Sequence, residues 1–104
     1  MTPSGKKEKA IRILAEKNAN FDVQTDVRSD NRASPAVASL KEKAVVRVEA
    51  RVSIFEFPNK EKVEARMVRT SKASAEASSF EEAEDLAVFR SIANLGLLEG
   101  EVNE

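Results

Sequence analysis

Two alternating segments joined by a short turn constrain this fold more than any other part of the sequence. Apolar and polar residues alternate along residues 45–57 (VVRVEARVSIFEF) and again along residues 63–69 (VEARMVR). A period of two places successive side chains on opposite faces of a strand, and the intervening PNKEK contains residues that favour turns. The pattern therefore predicts a β-hairpin. Phe55 and Phe57 fall on the polar parity, which predicts a bulge or an apolar cover near the end of the first strand.

A helix with clear start and stop signals follows the hairpin, over residues 79–96 (SFEEAEDLAVFRSIANLG). Ser79 and Glu82 have the spacing of a capping box, in which each side chain accepts a hydrogen bond from a backbone N–H of the other. Gly96 is well placed as the left-handed C-terminal cap. The predicted apolar face consists of Phe80, Ala83, Leu86, Ala87, Phe89, Ile92 and Ala93.

The N-terminal part predicts one more helix and one more strand. Residues 5–17 have helical periodicity, with Ser4 as the predicted cap. Apolar and polar residues alternate along residues 21–28, which is typical of a half-buried strand. The following turn-rich segment contains Ser34-Pro35, which can start a short helix through Leu40 or belong to a mobile loop.

Together these elements predict a single α+β domain over residues 1–104. Its core is a small antiparallel three-stranded sheet, a β-β-β-α unit packed against the C-terminal helix, with an N-terminal helix added. The small, polar residues 70–79 (TSKASAEASS) are expected to form a flexible connection between the hairpin and the helix. Residues 99–104 are expected to form a frayed acidic tail.

Composition argues against catalysis. The chain has no Cys and no His, which removes disulfides, thiolate metal sites and the usual proton shuttle near neutral pH. The acidic cluster Glu81, Glu82, Glu84 and Asp85 could hold Mg²⁺, but it also suits the positive end of a helix dipole. We therefore expect no enzyme activity, no metal, no cofactor and no small-molecule substrate. With five Phe and neither Trp nor Tyr, the core is thin, which favours a homo-oligomer.

No part of the sequence predicts a membrane segment. No apolar run approaches the roughly 20 residues that span a bilayer, and the charged N-terminus MTPSGKKEKA is not followed by an apolar core of signal-peptide length. The sequence therefore predicts a soluble, cytoplasmic protein without membrane contact.

Charge is distributed unevenly, although the net charge is only −1. Residues 41–72 carry nine Lys and Arg against five Glu, whereas residues 73–104 carry one Arg against eight acidic residues. The basic hairpin could neutralise phosphates. It could equally be a solvated sheet face on which Glu49, Glu61 and Glu64 pair with the cations. Phe55 and Phe57 could stack on exposed bases or pack in the core.

The helix sequence Ala83–Gly96 (AEDLAVFRSIANLG) resembles that of single-strand annealing proteins. This family includes the eukaryotic radiation-repair annealing protein, its phage and bacterial relatives, and the ERF-type phage recombinases. Their helix runs A-E-T-x-A-x-x-R-A-L-x-x-x-G, after a strand of the form A-x-V-x-V-x-A-x-V and a turn. Residues 44–52 (AVVRVEARV) resemble that strand, so the resemblance covers about residues 43–97. The matching helix residues are Ala83, Glu84, Ala87, Arg90, Ile92 and Gly96.

Three helix positions and the turn depart from the family pattern. Asp85 replaces the usual Thr, Phe89 a small residue and Ser91 an Ala, while Pro58-Asn59-Lys60 replaces the usual D-G turn. The resemblance implies a β-β-β-α core that assembles into rings or filaments and pairs complementary strands without ATP. It also implies contacts with a sugar-phosphate backbone. The implied contacts are Arg47, Arg51, Arg66, Arg69 and Lys60 or Lys62, with Arg90 as a further contact or an interface organiser.

Two hypotheses for function follow. The first is a non-catalytic protein of recombination or repair that binds or anneals single-stranded DNA on the basic hairpin. The second is an oligomerising protein-interaction module with no nucleic-acid role, which the acidic C-terminal third and the near-zero net charge also fit. The salt dependence of binding to a single-stranded oligonucleotide distinguishes the two.

Overall fold

The computed structural model describes residues 2–17, 20–35, 43–56 and 66–96. It confirms the predicted α+β class. Two helices and a three-stranded antiparallel sheet follow one another in the order α-β-β-β-α, and the sheet order is that of the sequence. The elements are α1 (Pro3–Lys17), β1 (Phe21–Asp30), β2 (Val46–Glu56), β3 (Arg66–Ala77) and α2 (Phe80–Asn94). The predictions for residues 36–40, Phe57, the turn lysines Lys60 and Lys62, and the tail lie outside the described residues.

The alternation predicted for β2 sets the two faces of the sheet. Val46, Val48, Ala50, Val52 and Ile54 are all buried beneath the helices, on what we call the helix face. The intervening residues of β2 lie on the opposite side, which we call the open face. The bulge predicted near the strand end is present, because the register with β3 shifts between Ile54 and Phe55.

Both helices contribute to one core on the helix face. α2 packs on β2 and β3, and α1 packs beside α2. Phe89, only 2 % exposed, and Leu14 are the two largest fully buried side chains, one from each helix. Lys7 of α1 and Asp85 of α2 form an ion pair of 2.7 Å. The hydrogen bond to Asp85 raises the pKa of Lys7, and the ion pair joins the two helices.

The prediction of a flexible connection over residues 70–79 is wrong. β3 runs from Arg66 to Ala77, and only Ser78 and Ser79 separate it from α2. The small residues have a packing role, because Ala73, Ala75 and Ala77 lie on the helix face opposite β2 residues and directly under α2. A poor intrinsic strand propensity is overridden here by cross-strand pairing and by the close approach of the helix.

A hydrogen-bonded pair of serines joins β3 to α2. Ser91 is fully buried, and its hydroxyl lies 2.9 Å from that of Ser71. The Ser71 hydroxyl also donates to the Ser91 carbonyl, and the Ser91 hydroxyl donates to the Ser71 carbonyl at 3.1 Å. The fully buried Ser91 hydroxyl therefore has a hydrogen-bond partner, which is the condition for burying a hydroxyl at low cost.

The helix ends follow local signals, with one correction. The Ser79 hydroxyl accepts from the Glu82 N–H at 3.3 Å, as the capping-box spacing predicted, and Gly96 has a φ of +80° after the C-cap residue Leu95. Ser4 does not cap α1. Thr2 does so, since its hydroxyl accepts from the Gly5 N–H at 3.1 Å. This places Pro3 at the first helical position, where its missing N–H costs nothing.

Asn31 ties together the two ends of the connection between β1 and β2. Its backbone N–H donates to the Val45 carbonyl at 3.2 Å, and its side-chain amide accepts from the Val45 N–H at 2.7 Å. The same amide donates to the Lys43 carbonyl at 3.0 Å. Beside it, the Arg32 guanidinium and backbone N–H both donate to the Asp30 carboxylate.

These donors give a prediction for the pH dependence of stability. Hydrogen bonds from Arg32 lower the pKa of Asp30 to about 2. Because the folded-state pKa lies below the unfolded value, Asp30 stabilises the fold above about pH 4, and this contribution is lost as the pH falls towards 2. We expect Arg32→Ala to raise the pKa of Asp30 towards its ordinary value near 3.8, as measured by an NMR titration of the carboxyl carbon. An unchanged pKa in that variant would contradict the assignment.

Candidate nucleic-acid interface

The open face of the sheet holds the candidate site. None of the described helices packs on this side. The residues of β2 that point here are flanked by partners on both neighbouring strands, so that the side chains form rows across the sheet. From one end to the other these rows are Asp22–Ser53–Thr70, Gln24–Arg51–Lys72 and Asp26–Glu49–Ser74, followed by Arg47–Glu76 beside the β1 bulge that contains Arg28.

Among the described residues, cations and carboxylates on the open face are equal in number. The cations are Arg28, Arg47, Arg51 and Lys72, and the carboxylates are Asp22, Asp26, Glu49 and Glu76. They are not mixed evenly, however. Arg51 and Lys72 are cross-strand neighbours in one row, while Asp26 and Glu49 are neighbours in the next. The charge is therefore arranged in stripes, although its sum over the face is zero.

Ion pairs neutralise part of this face. Arg28 contacts Glu49 at 2.7 Å and Asp26 at 3.5 Å, and Arg47 lies 3.8 Å from Glu76. The hydrogen bond from Arg28 lowers the pKa of Glu49, and the charges of Lys72 and Arg51 lower it further. The same contact raises the pKa of Arg28. These pairs are exposed to solvent and are each worth little in stability.

Arg51 and Lys72 differ from the other cations. Both are exposed, and neither forms an ion pair within 4 Å with a carboxylate among the described residues. They lie directly opposite one another on β2 and β3. Like charges in that position destabilise a sheet, so a bound anion that contacts both would relieve their repulsion. Gln24 beside Arg51 and Thr70 on the next row add uncharged hydrogen-bonding groups.

A shallow depression of about 500 Å³ lies beside this pair, between β1 and β2. Its lining residues include the acidic Asp26 and Glu49 together with Arg28 and Arg51. An anion inside it would meet two carboxylates, so the depression itself does not suit a phosphate. The exposed surface over Arg51 and Lys72 suits one better.

The other predicted contacts are dispersed. Arg66 pairs with Glu56. By strand alternation Glu56 lies on the same side of the sheet as Ile54, the helix face, and not on the open face with Arg51. Arg69 lies on the helix face, where its guanidinium donates to the Leu95 carbonyl at the end of α2. Arg90 of α2 donates to the Ser74 carbonyl at 3.4 Å. Of the seven predicted residues, only Arg47 and Arg51 share the open face, and Lys60 and Lys62 fall outside the described residues.

Two features of the site were not settled by prediction from the sequence: the role of Lys72 was not predicted, and two alternatives were given for Phe55. Lys72 was not among the predicted contacts, because its segment was expected to be a connection and so had no register with β2. Phe55 is half-buried on the parity of Arg51, opposite Met67, which is 55 % exposed. These two side chains form a small apolar patch at the end of the open face, one that could accept a base.

The acidic start of α2 is used by contacts within the protein. Glu81 and Glu82 lie in the first helical turn, Glu84 accepts from the Thr25 hydroxyl at 2.9 Å, and Asp85 pairs with Lys7. Among the residues that the structure describes, no group of three or more acidic side chains is placed to hold a metal ion. None of the described helices is long and apolar enough to cross a membrane.

Comparison with models of protein families finds no match for this chain, and neither characterised proteins nor solved structures provide one.

Proposed function

We propose that the protein binds single-stranded DNA without catalysis, in recombination or repair, and that the open face contacts the phosphate backbone. The observation that carries this proposal is the adjacent pair of exposed cations Arg51 and Lys72. Their mutual repulsion is relieved by a polyanion, and their position on a sheet face that no described helix covers gives an extended strand room to lie across them.

The geometry favours a flexible single strand over a duplex. Arg47 lies four residues from Arg51 on the same side of β2, about 13 Å away, with Glu49 between them. A single strand can follow Lys72, Arg51 and Arg47 while its bases turn towards the Phe55–Met67 patch or towards solvent. Bases that stay exposed can find a complementary strand, which is what annealing without nucleotide hydrolysis requires.

Salt dependence is the property that tests this proposal. Each lost phosphate contact reduces the slope of log affinity against log salt by about 0.7 for single strands. We therefore expect Arg51→Ala with Lys72→Ala to weaken binding of labelled oligo-dT at every salt concentration and to reduce the slope by about 1.4. Fluorescence anisotropy from low to moderate salt measures both quantities.

The matched control removes the same charge from the other layer of the protein. Lys9→Ala with Arg12→Ala changes two cations of α1, and Ala preserves the helix. This variant is expected to bind oligo-dT like the unmodified protein. An equal loss of affinity in both double variants would mean that net charge, and not the position of Arg51 and Lys72, determines binding. If the unmodified protein does not bind oligo-dT at low salt, the proposal is overturned.

A protein-interaction module is the second candidate, and the balance of charge on the open face favours it. Four cations and four carboxylates arranged in stripes can pair with a protein surface of the opposite arrangement. Such a module would leave oligo-dT unbound at low salt while retaining a defined assembly state. The anisotropy titration therefore separates the two candidates.

A further inference from the structure

The two outer edges of the sheet differ in their protection. β1 and β3 each have one edge without a strand partner among the described residues. In an antiparallel pair, successive residues direct their N–H and C=O groups to alternate edges. The Phe55 N–H donates to the Asn20 carbonyl at 2.9 Å, so the odd-numbered residues of β2 face β1 and the even-numbered ones face β3. By register, the outward groups belong to Thr70, Lys72, Ser74 and Glu76 on β3, and to Phe21, Val23, Thr25 and Val27 on β1.

α2 covers the outer edge of β3. The Asn94 side-chain amide donates to the Lys72 carbonyl at 3.3 Å, and the Arg90 guanidinium donates to the Ser74 carbonyl at 3.4 Å. Asn94 and Arg90 are four residues apart in the helix and therefore lie on the same side of it. Side chains that occupy edge carbonyls in this way hinder the addition of another strand.

The outer edge of β1 has no such cover in the described part of the chain. No described residue is hydrogen-bonded to the outward backbone groups of Phe21, Val23, Thr25 or Val27. Val27 is 46 % exposed, although its side chain lies on the helix face. Unpaired N–H and C=O groups along a ten-residue strand, with an apolar side chain beside them, provide a template for strand addition.

We propose that β1 pairs antiparallel with β1 of a second copy, across a two-fold axis at Thr25. In this register Thr25 faces its own symmetry mate, and Val23 faces Val27 of the second copy. On the open face, Asp22 lies opposite Arg28 of the second copy. The backbone contributes about six hydrogen bonds, and both exposed Val27 side chains are covered.

Charge favours the register with the axis at Thr25 over registers with the axis at a nearby residue. An axis at Gln24 places Asp22 opposite Asp26, and an axis at Asp26 places that carboxylate opposite itself. Both are unfavourable, since directly opposed like charges destabilise a sheet. An axis at Val27 avoids the clash but leaves Phe21 and Asp22 unpaired. The strand is therefore self-complementary at Thr25, which is why a second copy of this chain fits the edge better than an unrelated peptide.

One unfavourable contact accompanies the axis. The Glu84 carboxylate accepts a hydrogen bond from the Thr25 hydroxyl. Glu84 and its counterpart in the second copy therefore approach each other near the two-fold axis. In water the repulsion between two such carboxylates is small. The two Asp22–Arg28 pairs compensate for a penalty of this size. The dimer does not depend on DNA binding, and its formation joins two open faces into one six-stranded surface.

Sedimentation velocity over a range of concentrations tests the dimer directly. We expect the unmodified protein to dimerise and Thr25→Pro to weaken dimerisation about tenfold or more. Proline at this position removes the outward N–H, which an edge strand tolerates, together with the hydroxyl that donates to Glu84. Thr25→Val, which keeps the shape and the N–H but loses the bond to Glu84, should still dimerise. Monomers throughout, up to about 1 mM, would overturn the proposal.

Cysteine cross-linking tests the register, even where Thr25→Pro fails to fold. The chain has no Cys, so an introduced thiol can pair only with its copy. Residues in a hydrogen-bonded pair have Cα atoms about 5.5 Å apart, within the range that disulfides span. We expect Thr25→Cys to form a covalent dimer on mild oxidation. Thr70→Cys, on the β3 edge beside the covered carbonyl of Lys72, should not. Equal cross-linking of both variants, or cross-linking of Thr70→Cys alone, would reject the β1 interface.

Discussion

Phe89→Ala is expected to lower the free energy of unfolding by about 3–5 kcal/mol. Phe89 is the largest fully buried side chain and lies where α2 meets α1 and the sheet. The Lys6 ammonium lies 5.6 Å from the centroid of its ring. Truncation removes the buried ring and leaves a cavity that the surrounding small residues cannot fill. Since small domains are stable by only about 5–15 kcal/mol, a loss of this size leaves a marginal fold. Urea denaturation followed by circular dichroism measures it.

The same substitution at the start of the helix serves as the matched control. Phe80 is only half-buried and packs at the periphery of the core. Phe80→Ala is expected to lower the free energy of unfolding by less than half the loss at Phe89. Equal losses at the two positions would show that the core is not centred where α2 crosses β2 and β3.

Ser91→Leu is expected to lower the free energy of unfolding by about 2–4 kcal/mol. The larger side chain has no space, because Ser91 is fully buried against Ser71 of β3. It also removes the hydroxyl that donates to the Ser71 carbonyl. We expect α2 to shift away from β3, which would change the contacts of Arg90 and Asn94 with that strand. Thermal unfolding measures the loss of stability.

Ala93→Leu is the control for Ser91→Leu. Ala93 is exposed on the same helix, and Leu has nearly the helix propensity of Ala. Its effect should stay within about 0.5 kcal/mol. A similar loss at both positions would mean that the helix tolerates no bulk anywhere, and the specific fit against β3 would be rejected.

Local signals made much of this fold predictable. The alternation of β2 identified its buried face, and the Ser79 and Gly96 signals located both ends of α2. β3 could not be recognised over residues 70–77, because the Lys, Ala and Glu residues that make up most of this segment carry little strand propensity. They form a strand because β2 offers hydrogen-bonding partners and α2 needs small residues beneath it, and neither condition is visible in the segment itself.

The candidate site depended on the same long-range pairing. A period of two within one strand was enough to place Arg47 and Arg51 on one face. Whether a residue of the return strand joins them depends on the register across the turn, and the bulge after Ile54 changes that register. Arg69 therefore lies on the helix face, beside the end of α2, and Lys72 takes the place beside Arg51. A sequence alone does not reveal a one-residue shift that exchanges the two faces.

The bonds from α2 to the outer carbonyls of β3 also bear on how the protein avoids aggregation while it is being made. α2 follows all three strands in the chain, so a growing polypeptide exposes the β3 edge before Asn94 and Arg90 exist to cover it. During that interval, Lys72 and Glu76 are the only charges along residues 70–77 that discourage pairing with a neighbouring chain. The docking of one helix then completes the core and closes the edge in a single event. We expect chains that stall before α2 to be the ones that a cell must clear.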